Sequence, residues 1–238
     1  MPLYDQILED ILAKIQNGEL VCGDMLPKEI DIAAAYGVSR PTVRTALLKL
    51  VEKGYLTRSK GQGTFVTRPK LAHSYTRFVE SYNEEMKRQG LTPQTIILEL
   101  SVQNAGERVA DKLRCDEKTQ IIKLRRLRYA RPIDERPIVL TTVYIPLELL
   151  PNFKQYNFET VSLYDALEKQ GVQVKTSRRE LEIRTLYGRS AMLLSAKDGS
   201  VAHFVSSVGF DANGRPAEYS ESFYPADRNK FIIEVFEE

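Results

Sequence analysis

The chain has 238 residues, 42% of them hydrophobic and 28% charged, with a formal net charge of +2, the proportions of a soluble globular protein of one large or two ordinary domains. No apolar run reaches the ~18 residues of a membrane span and the start carries no basic-then-apolar secretion signal, so a cytoplasmic protein with no membrane partner is expected. Cys22 and Cys115 are far apart and form no cluster with His73 and His203, which predicts free thiols, no metal and no cofactor.

Tyr4, Ile7, Leu8, Ile11 and Ile15 make one face of a first helix, which Asn17-Gly18 ends. A short alanine-rich second helix is predicted from Lys28 to about Ala35, with Gly37 in the tight turn that follows. Ser39 then stands where an N-cap belongs, and Pro41 fits the first turn, which has no intrahelical N–H bonds to lose. Val43, Ala46, Leu47, Leu50 and Val51 form the apolar stripe of a third helix, closed by Gly54. A hairpin follows: Tyr55 to Arg58, a tip Lys60-Gly61-Gln62-Gly63, and Thr64 to Thr67. Charge is one-sided here, with eight basic residues and one acid from Arg40 to Lys70, against two basic residues and seven acids in residues 1–39. A basic run alone would fit an ordinary solvated face. Helix, turn, helix and basic hairpin together are what a winged helix-turn-helix presents to DNA.

The run from Pro27 through SRPTVR to KGYL and KGQGTFV resembles the DNA-binding domain of the GntR superfamily of bacterial transcription regulators. The resemblance implies a DNA-binding domain over residues 1–68, with Arg40, Thr42 and Arg44 on the recognition helix and Gly61 in the wing touching duplex DNA. Arg58, Lys60 and Gln62 complete the expected wing contacts. One departure is Ile30, where such regulators often carry arginine or another polar residue. A second is Lys28, which replaces a serine and stands to take over part of the missing contact. Since one recognition helix covers few base pairs, a homodimer on an inverted-repeat operator is expected.

Thr67-Arg68-Pro69-Lys70 breaks the pattern, so residues 69–90 read as a linker and a connecting helix carrying Phe78, Val79, Tyr82 and Met86, stopped at Gly90. From Pro93 the period becomes two. Strands are expected over Gln94–Val102, Thr119–Ala130, Pro137–Ile145, Val172–Tyr187, Val201–Phe210, Ala217–Tyr224 and Phe231–Phe236. Asp211-Ala212-Asn213-Gly214 is a hairpin turn, and short helices fall at Glu107–Leu113, Ser162–Lys169 and about Arg189–Ser195. This is the signature of an α+β fold built on an antiparallel sheet, in a second domain over residues 91–238.

Arg126 and Arg128 share a strand face with Ile122 and Leu124, so an apolar face turns cationic along its length. Two guanidinium forks on one wall suit a phosphate or carboxylate. An exposed strand end with ordinary salt bridges would show the same spacing. Ser162 reads as a helix N-cap, whose backbone N–H groups would also favour an anion. Glu218, Ser220, Ser222 and Tyr224 share another face, which fits either a binding wall or the wet side of an edge strand.

The stretches RRLRYA, RPIVLTTVYIP, SLYDALEKQG and AEYSESFYPADRNKF resemble the UTRA effector-binding domain of the HutC subfamily, a fold shared with chorismate lyase. The resemblance implies a small phosphorylated or carboxylated effector. Arg126, Arg128 and Ser162 would hold its anion, and Tyr164, Glu218 and Tyr224 the remainder. Two departures concern specificity: Thr141 stands where many relatives have a glutamate, and Asn83 where they often have Ser or Thr. Loss of that carboxylate predicts a neutral, hydroxyl-rich ligand over a cationic one. The overall expectation is a ligand-released repressor. An enzyme on a lyase-like fold would need a nucleophile motif, a metal cluster or a close carboxylate pair, none of which the sequence displays. A DNA-binding architectural protein with a purely structural second domain is the remaining alternative.

Overall fold

The apolar stripe of the first predicted helix is realised in α1 (Leu3–Gln16) in the computed structural model, which describes residues 2–67, 69–74, 80–131 and 134–234. Ile7, Leu8 and Ile11 are buried against Val43, Ala46, Leu47 and Leu50 of α3 (Arg40–Glu52), and Ile32 and Ala33 of α2 (Glu29–Tyr36) complete the three-helix core. Gly37 supplies the left-handed residue (φ 63°) that ends α2, and Ser39 Oγ accepts from Thr42 N at 3.4 Å to cap α3. Lys28 is the N-cap of α2 rather than its first helical residue.

The hairpin β1 (Leu56–Ser59) and β2 (Gly63–Val66) follows as the pattern predicts, with Leu56 and Val66 turned into the core. Residues 23–26 run beside β2, with Leu26 N donating to Thr64 O at 2.8 Å and Val66 N to Asp24 O at 2.8 Å. The hairpin thus gains a third, irregular strand that carries no alternation in the sequence.

The chain divides into two compact units, Met1–Lys70 and Leu71–Glu238. The second unit is a six-stranded antiparallel sheet in the order β4-β5-β6-β9-β8-β7. Its strands are β4 (Thr92–Asn104), β5 (Gln120–Arg131), β6 (Val139–Pro146), β7 (Thr176–Thr185), β8 (Val201–Phe210) and β9 (Pro216–Pro225). α5 (Gly106–Leu113) and α7 (Gly188–Leu193) cover one face, packing on Ile121, Tyr144 and Tyr219 and on Leu127 and Leu140. α4 (Tyr82–Arg88) and α6 (Leu163–Glu168) cover the other, packing on Val139 and Tyr224 and on Ile122, Leu124 and Val143.

Three details depart from the sequence reading. A strand β3 (Leu71–Ser74) lies in the stretch read as linker and pairs parallel with β10 (Asn229–Ile232). Leu71-Ala72-His73-Ser74 buries alternate residues but holds a single strongly apolar side chain, and its partner strand lies at the far end of the unit. The strand predicted over 172–187 is shorter, because Val172 and Val174 pack beside the α6 core before β7 begins, and Leu186 is buried beneath α7. Helix α4 starts at a capping box on Ser81 and Glu84, while Phe78 and Val79, like Phe236, lie outside the described residues.

Candidate nucleic-acid interface and ligand cavity

In the first unit, Arg40 opens α3 and Arg44 follows one turn later, both exposed, with Thr42 half-buried between them. The Thr42 hydroxyl is 2.8 Å from Ser39 Oγ, so it serves the cap as well as the surface. Lys28 is exposed at the start of α2. Lys60, Gly61 and Gln62 form the hairpin tip, where the turn needs the positive φ of Gly61 (77°) and Ser59 Oγ donates to Gln62 Oε1 at 2.9 Å. Arg58 is held differently: its guanidinium pairs with Glu29 of α2 at 2.9 Å, binding the hairpin to the helix before it. Ile30, two residues after Lys28, is 57% exposed.

In the second unit, the sheet face that carries Ile122 and Leu124 leads into a cavity of about 110 Å³. Arg126 and Arg128 of β5, Thr141 of β6, Glu218 and Tyr224 of β9, and Ser162 and Tyr164 at the start of α6 all line it. The two arginines therefore sit where the apolar face ends, as their spacing predicts. β9 lies in the middle of the sheet, so Glu218, Ser220, Ser222 and Tyr224 are an enclosed wall and not the wet side of an edge strand. Asn83 is apart from the main cavity, in a narrow recess shared with Thr95, Arg126, Arg128 and Ser162.

The electrostatics are those of charge held out of water. Arg126 is 3% exposed, and burial, reinforced by the neighbouring charge of Arg128, holds its guanidinium well below the usual arginine range. Burial lowers Arg128 too, and its guanidinium stacks over the Tyr82 ring at 4.8 Å. Among the described residues, neither buried Nε has a hydrogen-bond partner. Glu218, 2% exposed, is pushed up to about 7 by burial, against the opposing pull of Ser220, Arg179, Tyr164 and Arg126. Tyr164 OH donates to Glu218 Oε1 at 3.4 Å, and burial raises the pKa values of both Tyr164 and Tyr82. Thr141 and Ser222 pair through their hydroxyls at 3.0 Å, and Ser162 Oγ accepts from Tyr164 N at 3.1 Å.

Sequence reasoning missed several walls. Arg179 enters from β7, Ser207 from β8, and Ser81, Tyr82 and Glu85 from the start of α4. The box Ser81-x-x-Glu84 was a readable signal for that helix start. Gly209 was missed for another reason. A side chain there would place Cβ 2.9 Å from Glu218 Oε1 and 2.9 Å from Val174 Cγ1, so the glycine makes the room in which Glu218 lies. Its partner across the strands is Glu218 itself, a pairing invisible without the register.

Comparison with known proteins agrees with both halves. Residues 3–66 match the family described as bacterial regulatory proteins, gntR family, and residues 88–230 match the UTRA domain. The chain belongs to the GntR family. Among GntR relatives it is 33% identical to the HTH-type transcriptional repressor NagR of Bacillus subtilis, over 98% of this chain and 94% of that one. It is 30% identical to the mannosyl-D-glycerate transport/metabolism system repressor MngR of Escherichia coli K12, over 98% of this chain and 95% of that one. The crystal structure of PhnF from Mycobacterium smegmatis superimposes with a TM-score of 0.78 at 27% identity, covering 97% of this chain and all of that one. The GntR regulator thus has a helix-turn-helix unit joined to an antiparallel UTRA domain, and its relatives are transcription regulators, not enzymes. Among the described residues, no helix is long and apolar enough to cross a membrane.

Proposed function

We propose that this chain is a transcription repressor that binds an inverted-repeat operator as a homodimer and is released by a small phosphorylated sugar or amino sugar. Residues 1–68 take the DNA, residues 91–238 the effector, and residues 69–90 connect them. The observation that carries the reading is the pair Arg126, buried, and Arg128, half-buried, each with a buried Nε and each losing hydration that a phosphate would replace.

Arg126, Arg128 and Ser162 hold the anion, with Asn83 behind them, while Thr141, Tyr164, Glu218 and Tyr224 meet the rest of the ligand. The hydroxyls of Ser81, Ser207, Ser220 and Ser222 around the same cavity suit a polyol. The relative named for mannosyl-D-glycerate transport and metabolism supports a sugar-derived ligand. Arg40, Thr42 and Arg44 read base edges, and Lys28, Lys60, Gly61 and Gln62 meet the backbone. Arg58, paired with Glu29, contributes chiefly by holding the wing.

Coupling between effector and operator of ~1–3 kcal/mol is typical for such a device, and each weakens the other by the same factor. Calorimetry of wild type and Arg126→Ala with glucose 6-phosphate and glucosamine 6-phosphate tests the site. The expected result is saturable binding of a sugar phosphate by wild type and loss of binding in the variant. Tight binding that survives Arg126→Ala, or turnover of either compound, would overturn the reading.

A further inference from the structure

His73 lies at the centre of β3 and is fully buried, at 0% exposure. Its two ring nitrogens meet two different elements: Nε2 is 2.9 Å from Asn229 Oδ1 on β10, and Nδ1 is 2.9 Å from Glu85 Oε1 on α4. The orientation of Asn229 is set independently, because its Nδ2 donates to Ile138 O at 3.0 Å and to Pro225 O at 2.9 Å. The Asn229 oxygen therefore faces the ring, and His73 Nε2–H is the donor to it. The imidazole also meets the Tyr224 ring edge-on at 4.8 Å and stacks on Phe231 at 5.1 Å. A further bond ties α4 to β3, from Gln89 Nε2 at the end of α4 to Ala72 O at 2.8 Å.

Glu85 and Tyr224 both line the ligand cavity. One imidazole thus touches two walls of the cavity, and it is carried by the strand that begins directly after Lys70, where the first unit ends. We infer that His73 is the positioning residue through which occupancy of the cavity reaches β3. It acts through Glu85 and Tyr224 and not on the ligand, and the inference rests on the ligand reading above. A buried hydrogen-bonded group cannot lose a partner cheaply, so a ligand that shifts Glu85 must carry His73 and β3 with it or break the Glu85–His73 bond, and one that shifts Tyr224 disturbs the ring packed against His73. Moving β3 or breaking that bond is a discrete rearrangement of the kind that carries coupling.

Hydrogen exchange on the full-length protein tests this in two separable arms. Without ligand, His73→Phe keeps the ring but removes both hydrogen bonds, and Glu85→Ala removes one of them from the cavity side. Both should exchange the amides of residues 71–74 roughly ten- to hundredfold faster than wild type, the range a lost buried hydrogen bond gives, while β6 is unaffected. Glu85→Gln should stay near wild type, because its amide can donate to Nδ1. Wild-type exchange of β3 in His73→Phe and in Glu85→Ala would overturn the clamp. In the second arm, saturating glucose 6-phosphate should change exchange at residues 71–74 in wild type but not in His73→Phe, although calorimetry shows both bound. An equal response in the two proteins would overturn the transmission. Wild type that binds no sugar phosphate would overturn the ligand reading and the transmission together, while the ligand-free arm still decides the clamp.

Discussion

The two units place the same side chains in opposite surroundings. Among the described residues, the first unit buries no charged or polar side chain, and Arg40, Arg44 and Lys60 stand in solvent around an apolar core. The second unit buries Arg126, Glu218, His73 and Glu85 within its fold. An exposed cation keeps its hydration and is screened by salt, so it suits a long polyanion met at many points. A buried cation has lost its hydration before any ligand arrives, so it suits one small anion in one place. Arginine thus stands in solvent in one unit and is stripped of water in the other.

The largest effect that sharpens this contrast concerns Glu218. Its carboxyl is raised from 4.5 to about 7 in the folded protein, so the fold holds a proton that the unfolded chain releases. Its contribution to stability is therefore most favourable below pH ~4.5 and is lost as the pH rises through ~7, a change on the order of 3 kcal/mol. Urea unfolding of the second unit over this range should show that loss in wild type and lack it in Glu218→Gln. Equal pH slopes would mean that Glu218 is not buried as an acid. Next comes Arg40→Ala, expected to weaken and broaden operator recognition by roughly 1–3 kcal/mol. Its folding stability should stay within ~0.5 kcal/mol of wild type, as an exposed site allows. Smallest is Lys60→Ala, which should reduce the slope of log affinity against log salt by about 1, measured by titrating operator at several ionic strengths. If sugar-phosphate binding in the second unit proved as salt-sensitive as DNA binding, the contrast between the units would break.

The units also differ in how far their sequences reveal them. In the first, every signal is local. Ile7, Leu8 and Ile11 repeat at helical spacing, Ser39 caps the helix that it precedes, and glycines mark the wing tip. In the second, alternation exposed the long strands, and the spacing of Arg126 and Arg128 exposed one wall of the cavity. The opposite wall depends on register: Gly209 matters because it faces Glu218, and Arg179 matters because β7 returns at the edge of the sheet beside β8. His73 read as an isolated histidine because its partners Glu85 and Asn229 come from a helix and a strand with no periodic relation to it. Strand β3, Leu71-Ala72-His73-Ser74, buries alternate residues, but only Leu71 among them is strongly apolar, so the alternation shows in burial and not in residue type.

The parallel pairing of β3 with β10 bears on the order in which the protein is made. β3 leaves the ribosome just after the DNA-binding unit, yet its partner emerges only after all six strands of the main sheet. The first unit, whose contacts are close in sequence, can fold early, while His73 lacks its bond to Asn229 and its stacking on Phe231 until Asn229–Ile232 arrives. A nascent chain therefore acquires the means to hold DNA before the strand next to that unit is secured. A polypeptide cut short after β9 would keep the whole helix-turn-helix unit and lose the strand that pairs with β3.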